Sequence, residues 1–135
     1  MKVTKRGLTM LKQISAFFFI SVFSVIFCGT SFAQKNHVVT ASDVDLYISL
    51  VAKDFEELDK KIKQAGLSDE DFTIIISKVQ CVLSGWRGNV SEDGMIQMYK
   101  QVMRGPTLTK NEIRILSARK KDLVALDKKK NPEKY

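Results

Sequence analysis

Apolar residues recur every three or four positions along most of the chain after residue 42. This spacing is the pattern of an amphipathic helix that buries one face. It continues through four stretches, 43–65, 69–84, 92–104 and 110–130. The sequence therefore predicts an all-α fold, a small four-helix bundle-like domain.

The ends of these stretches carry the residues that start and stop helices. A capping box pairs a Ser or Thr with a carboxyl or carboxamide three residues later, each bonding the other's backbone N–H. Glycine, or glycine followed by proline, ends a helix. The four predicted caps are Ser42 with Asp45, Ser68 with Asp71, Ser91 with Gly94 in place of the acid, and Thr109 with Glu112. The predicted stops are Gly66, Gly85, Gly105 with Pro106, and Pro132.

The N-terminal part has a different pattern. Four basic residues, Lys2, Lys5, Arg6 and Lys12, precede an apolar run over 14–27, and small residues follow at Ser31 and Ala33. A positive flank, a short apolar run and small residues before a cut describe a secretory signal peptide. We predict cleavage between Ala33 and Gln34. The predicted location is the periplasm; the alternative is N-terminal anchoring in the inner membrane, for which the run is short.

These boundaries divide the chain into four predicted parts. Residues 1–33 form the cleaved signal peptide, 34–41 a flexible lead-in, 42–130 a single helical domain, and 131–135 a basic C-terminal tail. Cleavage also changes the charge: the full chain carries +7, whereas residues 34–135 hold eighteen bases and fifteen acids, a net +3. With this modest charge on an exported protein, we expect no nucleic acid partner.

The remaining positive charge is concentrated near the C-terminus. Between residues 104 and 134 ten bases face four acids, whereas nine acids lie between residues 43 and 71. One interpretation is a basic and an acidic helix side by side, with solvated outer faces. The other is peripheral contact of the basic C-terminal helix with an anionic membrane surface, or with an acidic partner.

Groups that support catalysis are scarce. The only histidine, His37, lies in the predicted lead-in, and no glycine-rich phosphate loop is present. Cys81 is the only cysteine after residue 33, so it is a free thiol, buried or half-buried, or it forms an intermolecular disulfide. We therefore expect no enzyme, no cofactor and no metal site.

The segment SGWRGNV, residues 84–90, is the longest predicted connection and contains the only tryptophan. Trp86 and Arg87 are of the residue types that dominate binding hot spots. The alternative is that Trp86 covers the open end of the bundle and Arg87 pairs with a carboxylate. Met98, which points away from the main apolar stripe of the third helix, is the third predicted partner-binding residue.

The stretch LTKNEIRIL, residues 108–116, is similar to the start of the LTxxQ repeat in periplasmic chaperones of the Spy and CpxP kind. Glu112 stands where that family has Gln, and the match occurs once. A capping box at Thr109 explains the same residues, so no family is assigned on this basis.

These patterns together predict a protein that acts by binding rather than by catalysis. The expected partner is another protein, with this chain serving as an inhibitor, an immunity protein or an accessory subunit. The alternative is an envelope-stress chaperone-like protein that holds unfolded or membrane-associated clients.

Overall fold

The computed structural model describes residues 35–135, and the predicted signal peptide lies outside that range. The described chain forms α1 (Ala41–Ala52), α2 (Leu58–Gln64), α3 (Asp69–Arg87), α4 (Glu92–Val102), α5 (Lys110–Ser117), α6 (Lys120–Lys130) and a 3-10 turn (Pro132–Lys134). No strand occurs between residues 35 and 135. The all-α prediction is confirmed, with six helices there instead of the four expected.

The predicted first helix, 43–65, divides into α1 and α2 because the backbone reverses hand between them. Asp54, Phe55 and Glu57 all have positive φ, at 53°, 62° and 55°. A non-glycine residue in this left-handed conformation costs free energy, and it persists only where contacts with the surrounding structure hold it there. Phe55 packs against the core here, and its N–H bonds Leu50 O at 2.7 Å. Apolar spacing continues through this break, so periodicity alone did not reveal it.

The predicted fourth helix is also interrupted, at Ala118 and Arg119, between α5 and α6. The chain remains helical up to Ala118, whose N–H bonds Arg114 O, and Arg119 then serves as N-cap of α6 with a φ of −110°. Leu116 and Leu123, on either side, both lie in the core. The interruption redirects the chain while keeping both residues buried.

Three of the predicted caps form where expected, and one is displaced. Ser68 and Thr109 complete capping boxes, and Ser91 accepts the N–H of Gly94. The first helix instead begins after Thr40, whose box partner is Asp43, so the prediction of Ser42 with Asp45 was wrong. Val39 immediately precedes Thr40 and is fully buried. An apolar residue at that place fixes the entry of the chain into the helix.

Gly85 was expected to end the second predicted helix, but α3 continues through it to Arg87. A Cβ at Gly85 would lie 2.6 Å from Cγ of Met95, so the absence of a side chain lets α4 approach α3 closely. Residues 84–87 are consequently helical, and the connection to α4 is reduced to 88–91. The predicted loop over 84–90 was therefore wrong for residues 84–87, whereas 88–90 do belong to the connection.

The core is organised around α3, which packs against α1, α2, α4 and α5. It contributes more buried apolar residues than any other described helix: Phe72, Ile74, Ile75, Ile76, Val79, Val82 and Leu83. Val39 and apolar residues of the other helices complete the same core cluster.

Within this core lies a buried ion pair between Lys78 of α3 and Glu112 of α5. The Nζ to Oε2 distance is 2.6 Å, and both side chains are 0% exposed. Lys78 Nζ also donates to Asn36 Oδ1 at 3.0 Å and to the carbonyl of His37 at 2.7 Å. Glu112 Oε2 accepts the N–H of Val39 at 2.8 Å. We call residues 36–39 the N-terminal strap, because this pair binds them to the core.

Replacing Lys78 with Met should destabilise the protein by about 3–5 kcal/mol, because it leaves the Glu112 carboxylate buried without its counter-ion. It also removes the donor to Asn36 and to the strap carbonyl. Urea unfolding followed by circular dichroism measures the change. Lys110→Met is the matched control, since Lys110 lies 3.4 Å from Asp93 in an exposed pair and should cost less than about 1 kcal/mol. Equal free energies of unfolding for the two variants would contradict the conclusion that Lys78 and Glu112 form a buried ion pair that holds the strap.

Replacing Gly85 with Ala should also destabilise, by about 1–2 kcal/mol, because the buried Met95 must move to admit a methyl group. Helix propensity alone predicts the opposite sign, a gain of about 1 kcal/mol. Gly88→Ala is the control: a Cβ there meets its nearest neighbour at 3.5 Å, and we expect a change within about 0.5 kcal/mol. Thermal unfolding of the two variants shows whether Gly85→Ala lowers or raises the stability of the protein.

Candidate functional site

A groove of about 190 Å³ lies between α3 and α4. One wall is formed by α3, through Ile76, Ser77, Gln80, Cys81, Ser84 and Arg87. The opposite wall comes from α4 and its C-cap, through Met98, Tyr99, Val102 and Met103, and Lys134 of the 3-10 turn completes the lining. Most of this surface is carbon and sulfur, so the groove suits an apolar group.

The groove follows from the side-chain sizes on α3. Ser77, Cys81 and Ser84 are small and recur at helical spacing, so this face of α3 leaves space beside α4. Ser77 Oγ of one wall and Tyr99 Oη of the other are joined by a hydrogen bond of 2.8 Å. Burial raises the pKa of Tyr99 above its ordinary value, so the hydroxyl remains neutral and ties the two walls together.

Cys81 lies half-buried on the groove wall, with Sγ 3.6 Å from Met95 O. Desolvation raises the pKa of this thiol to about 11. Because of this raised pKa, the thiolate, which is the reactive form of cysteine, is scarce at neutral pH. The histidine, His37, lies elsewhere, with Nε2 2.9 Å from Asp43 Oδ2. Cys81 is therefore a lining group of the groove with low reactivity at neutral pH.

The only charged residues in the groove lining are Arg87 and Lys134. Tyr135, which follows Lys134, packs its ring against Arg87, so both cations lie at the end of the groove next to the 3-10 turn. Arg87 Nη1 donates to Asp127 Oδ2 at 2.5 Å, and Arg87 Cζ lies 5.9 Å from the ring centre of Tyr135. Asp127 is nearly buried and also accepts from the Tyr135 hydroxyl and the Asn131 amide. This network holds the guanidinium in place at the end of the groove.

The structure brings together two of the three predicted partner-binding residues. Arg87 and Met98 both line the groove, together with Cys81. Trp86 is not among the lining residues: it is half-buried, packs against the core, and has Lys120 Nζ 5.2 Å above its ring. Arg87 pairs with the carboxylate of Asp127, as the alternative interpretation of the 84–90 segment expected, and the role of these residues in partner binding stays a prediction.

Sequence reasoning missed the polar stripe of Ser77, Gln80 and Ser84, and it missed Lys134. The stripe has a signal, because small and polar residues at a spacing of three or four mark a face that is not filled by core. Lys134 has none, because its position depends on how the 3-10 turn folds back onto Arg87. Tertiary contacts of this kind cannot be inferred from local spacing.

The part of the chain that the structure describes has neither a metal-binding cluster nor a helix able to cross a membrane. Between residues 35 and 135, no group of three or more His, Cys, Asp or Glu side chains is placed to hold a metal ion. Within that same range, no helix has both the length and the apolar character needed to cross a membrane. On α6, the exposed Lys120, Lys121 and Lys128 share one face with the half-buried Val124.

No protein-family model matches the chain, and no significant match was found among curated proteins or solved structures. A fold class alone does not determine an activity, so the groove is the feature of this chain that bears on its function.

The raised pKa of Cys81 has a measurable consequence. Alkylation of Cys81 by iodoacetamide should still accelerate about tenfold per pH unit at pH 10 in the folded protein, because the thiolate fraction keeps rising up to about pH 11. In urea the same peptide should level off above its ordinary pKa of about 8.5. Mass spectrometry of the Cys81 peptide gives both profiles, and circular dichroism verifies the fold. A folded-state profile that levels off below about pH 9 would contradict the burial of this thiol.

Proposed function

We propose that this chain is a small exported protein that works in the periplasm by binding one protein partner. Its role is that of an inhibitor, an immunity protein or an accessory subunit, and it performs no catalysis. One observation carries the proposal: Arg87, Met98 and Cys81, which the sequence singled out separately, line the same groove between α3 and α4.

The size of the groove supports a protein partner over a small molecule. Small-molecule sites usually enclose about 300–1,000 Å³, and this groove holds about 190 Å³. An apolar cavity of about 150 Å³ accommodates one benzene molecule. The groove therefore suits a single large apolar side chain. Insertion of such an anchor into a pocket is the usual source of affinity at protein interfaces.

The alternative, an envelope-stress chaperone-like protein that holds unfolded or membrane-associated clients, requires a broad apolar surface. Large exposed apolar patches mark such surfaces. Among residues 35–135, the exposed large apolar residues are Val38 and Tyr135, which are 56% and 49% exposed. These two do not form an extended apolar face, which favours a dedicated partner.

Contact with an anionic membrane surface through α6 is a second candidate interaction. The exposed lysines that share one face of that helix support it. Such binding would depend strongly on ionic strength, whereas an apolar anchor in the groove would not. The salt dependence of any retained partner therefore separates the two interactions.

The test is affinity capture from a native cell-envelope extract, with a variant that fills the groove. Ser84 is exposed at the rim, so Ser84→Trp should occupy the groove without disturbing the core. We expect it to reduce the captured partner at least about tenfold, the loss of a typical hot spot, with unchanged thermal unfolding.

Gln97→Trp is the control, because Gln97 lies on the outer face of α4 and places the same side chain outside the groove. It should capture the partner as the native protein does. Undiminished capture by Ser84→Trp would refute the groove as the binding surface. Retention of many unrelated unfolded proteins would favour the chaperone-like alternative.

A further inference from the structure

The charges of the groove are all of one sign. Arg87 and Lys134 are cationic, and the other lining side chains are neutral. Asp127, the carboxylate behind Arg87, is 3% exposed and faces the guanidinium from the protein side. A ligand in the groove therefore encounters an apolar cavity with positive charge at one end. The complementary ligand has a large apolar group beside a negative charge.

Arg87 retains the capacity to bind such a charge. Asp127 accepts from Nη1, whereas a guanidinium has five N–H donors in a planar fork. The Arg87 side chain lines the groove and is 21% exposed. A guanidinium held by one carboxylate can still offer a second donor pair to another. Lys134 adds a second cation at the same place.

The short length of the groove limits where the negative charge can be. The cavity admits about one large side chain, so the carboxylate must belong to the same residue as the apolar group or to its immediate neighbour. The 3-10 turn that carries Lys134 lies at this end of the groove, and Tyr135 follows it against Arg87. A ligand chain that ends here avoids that turn, whereas a continuing chain must pass around it.

We infer that the groove binds the C-terminal residue of the partner protein, with a large apolar side chain between α3 and α4 and its α-carboxylate at Arg87 and Lys134. This inference rests on the proposed function and specifies the chemistry of the partner. Capture of free chain ends by directed donors is an established mode of peptide recognition. The structure adds the pocket beside those donors.

The test uses Cys81 as a reporter, because Cys81 lines the groove and a ligand there should restrict access to its thiol. The full chain is expressed, and the protein that accumulates is purified. It is then alkylated with and without N-acetyl-Gly-Gly-Phe. The same peptide with a C-terminal amide and N-acetyl-Gly-Gly-Ala acid are the comparisons. At about 10 mM, the Phe acid should slow alkylation of Cys81 severalfold, and the amide should require about tenfold more peptide for the same effect. The Ala acid should give little protection.

Two variants examine the cationic end. Lys134→Glu should abolish the preference for the acid over the amide, and Lys134 is exposed, so the fold is not at risk. Lys129→Glu changes the charge by the same amount on α6, away from the groove lining, and should preserve the preference.

Three results would overturn the inference. Equal protection by the acid and the amide would show that the groove does not recognise the carboxylate and binds only an apolar side chain. Absence of protection by any peptide would reject chain-end binding. Protection by octanoate but by none of the peptides would assign the groove to a lipid. The capture experiment with Ser84→Trp tests the proposed function separately, so failure of the chain-end inference and failure of partner binding can be distinguished.

Discussion

The buried ion pair between Lys78 and Glu112 is the constraint on which the rest of the structure depends. Moving two charges out of water costs several kcal/mol for each ion, and this cost is offset only when the remaining polar atoms find partners. Lys78 Nζ has three acceptors, from Glu112, Asn36 and His37, and Glu112 receives the N–H groups of Val39 and Thr109. Because these partners come from α3, α5 and the N-terminal strap, the pair is satisfied only when all three are assembled.

The same ion pair has a consequence for the groove. Lys78 and Ser77 are neighbours in α3, one buried against Glu112 and the other bonded to Tyr99 at the groove. The rotation of α3 about its axis is therefore fixed from both sides. Close approach of α4 at Gly85 and Met95 fixes the separation of the two helices further along. A groove held in this way is pre-formed, which lowers the ordering cost of the binding proposed for it.

Local rules predicted the features that depend on local chemistry. The caps at Ser68, Ser91 and Thr109 were recognisable because the cap and the backbone N–H that it accepts are three residues apart. The N-terminal strap belongs to the segment predicted as a flexible lead-in. Local rules could not reveal its contacts, because its partners lie some forty residues or more away in the sequence. Gly85 was misassigned as a stop because close helix packing and helix termination both favour glycine. In the site, residue type indicated Arg87, Met98 and Cys81, but only tertiary structure could bring Lys134 to them.

The uneven charge along the chain is partly neutralised by the packing of α1 against α6. Arg119 pairs with Asp45 at 3.0 Å, and Lys130 pairs with Asp54 in the break after α1. The side-by-side arrangement of acidic and basic helices therefore accounts for part of the pattern. The positive charge that remains exposed includes the lysines on one face of α6 and Lys134 beside the groove. A field of this sign accelerates the approach of an acidic partner more than it strengthens the final complex. In the proposed complex, affinity therefore comes from the apolar groove, and the charge selects the end of the partner that enters it.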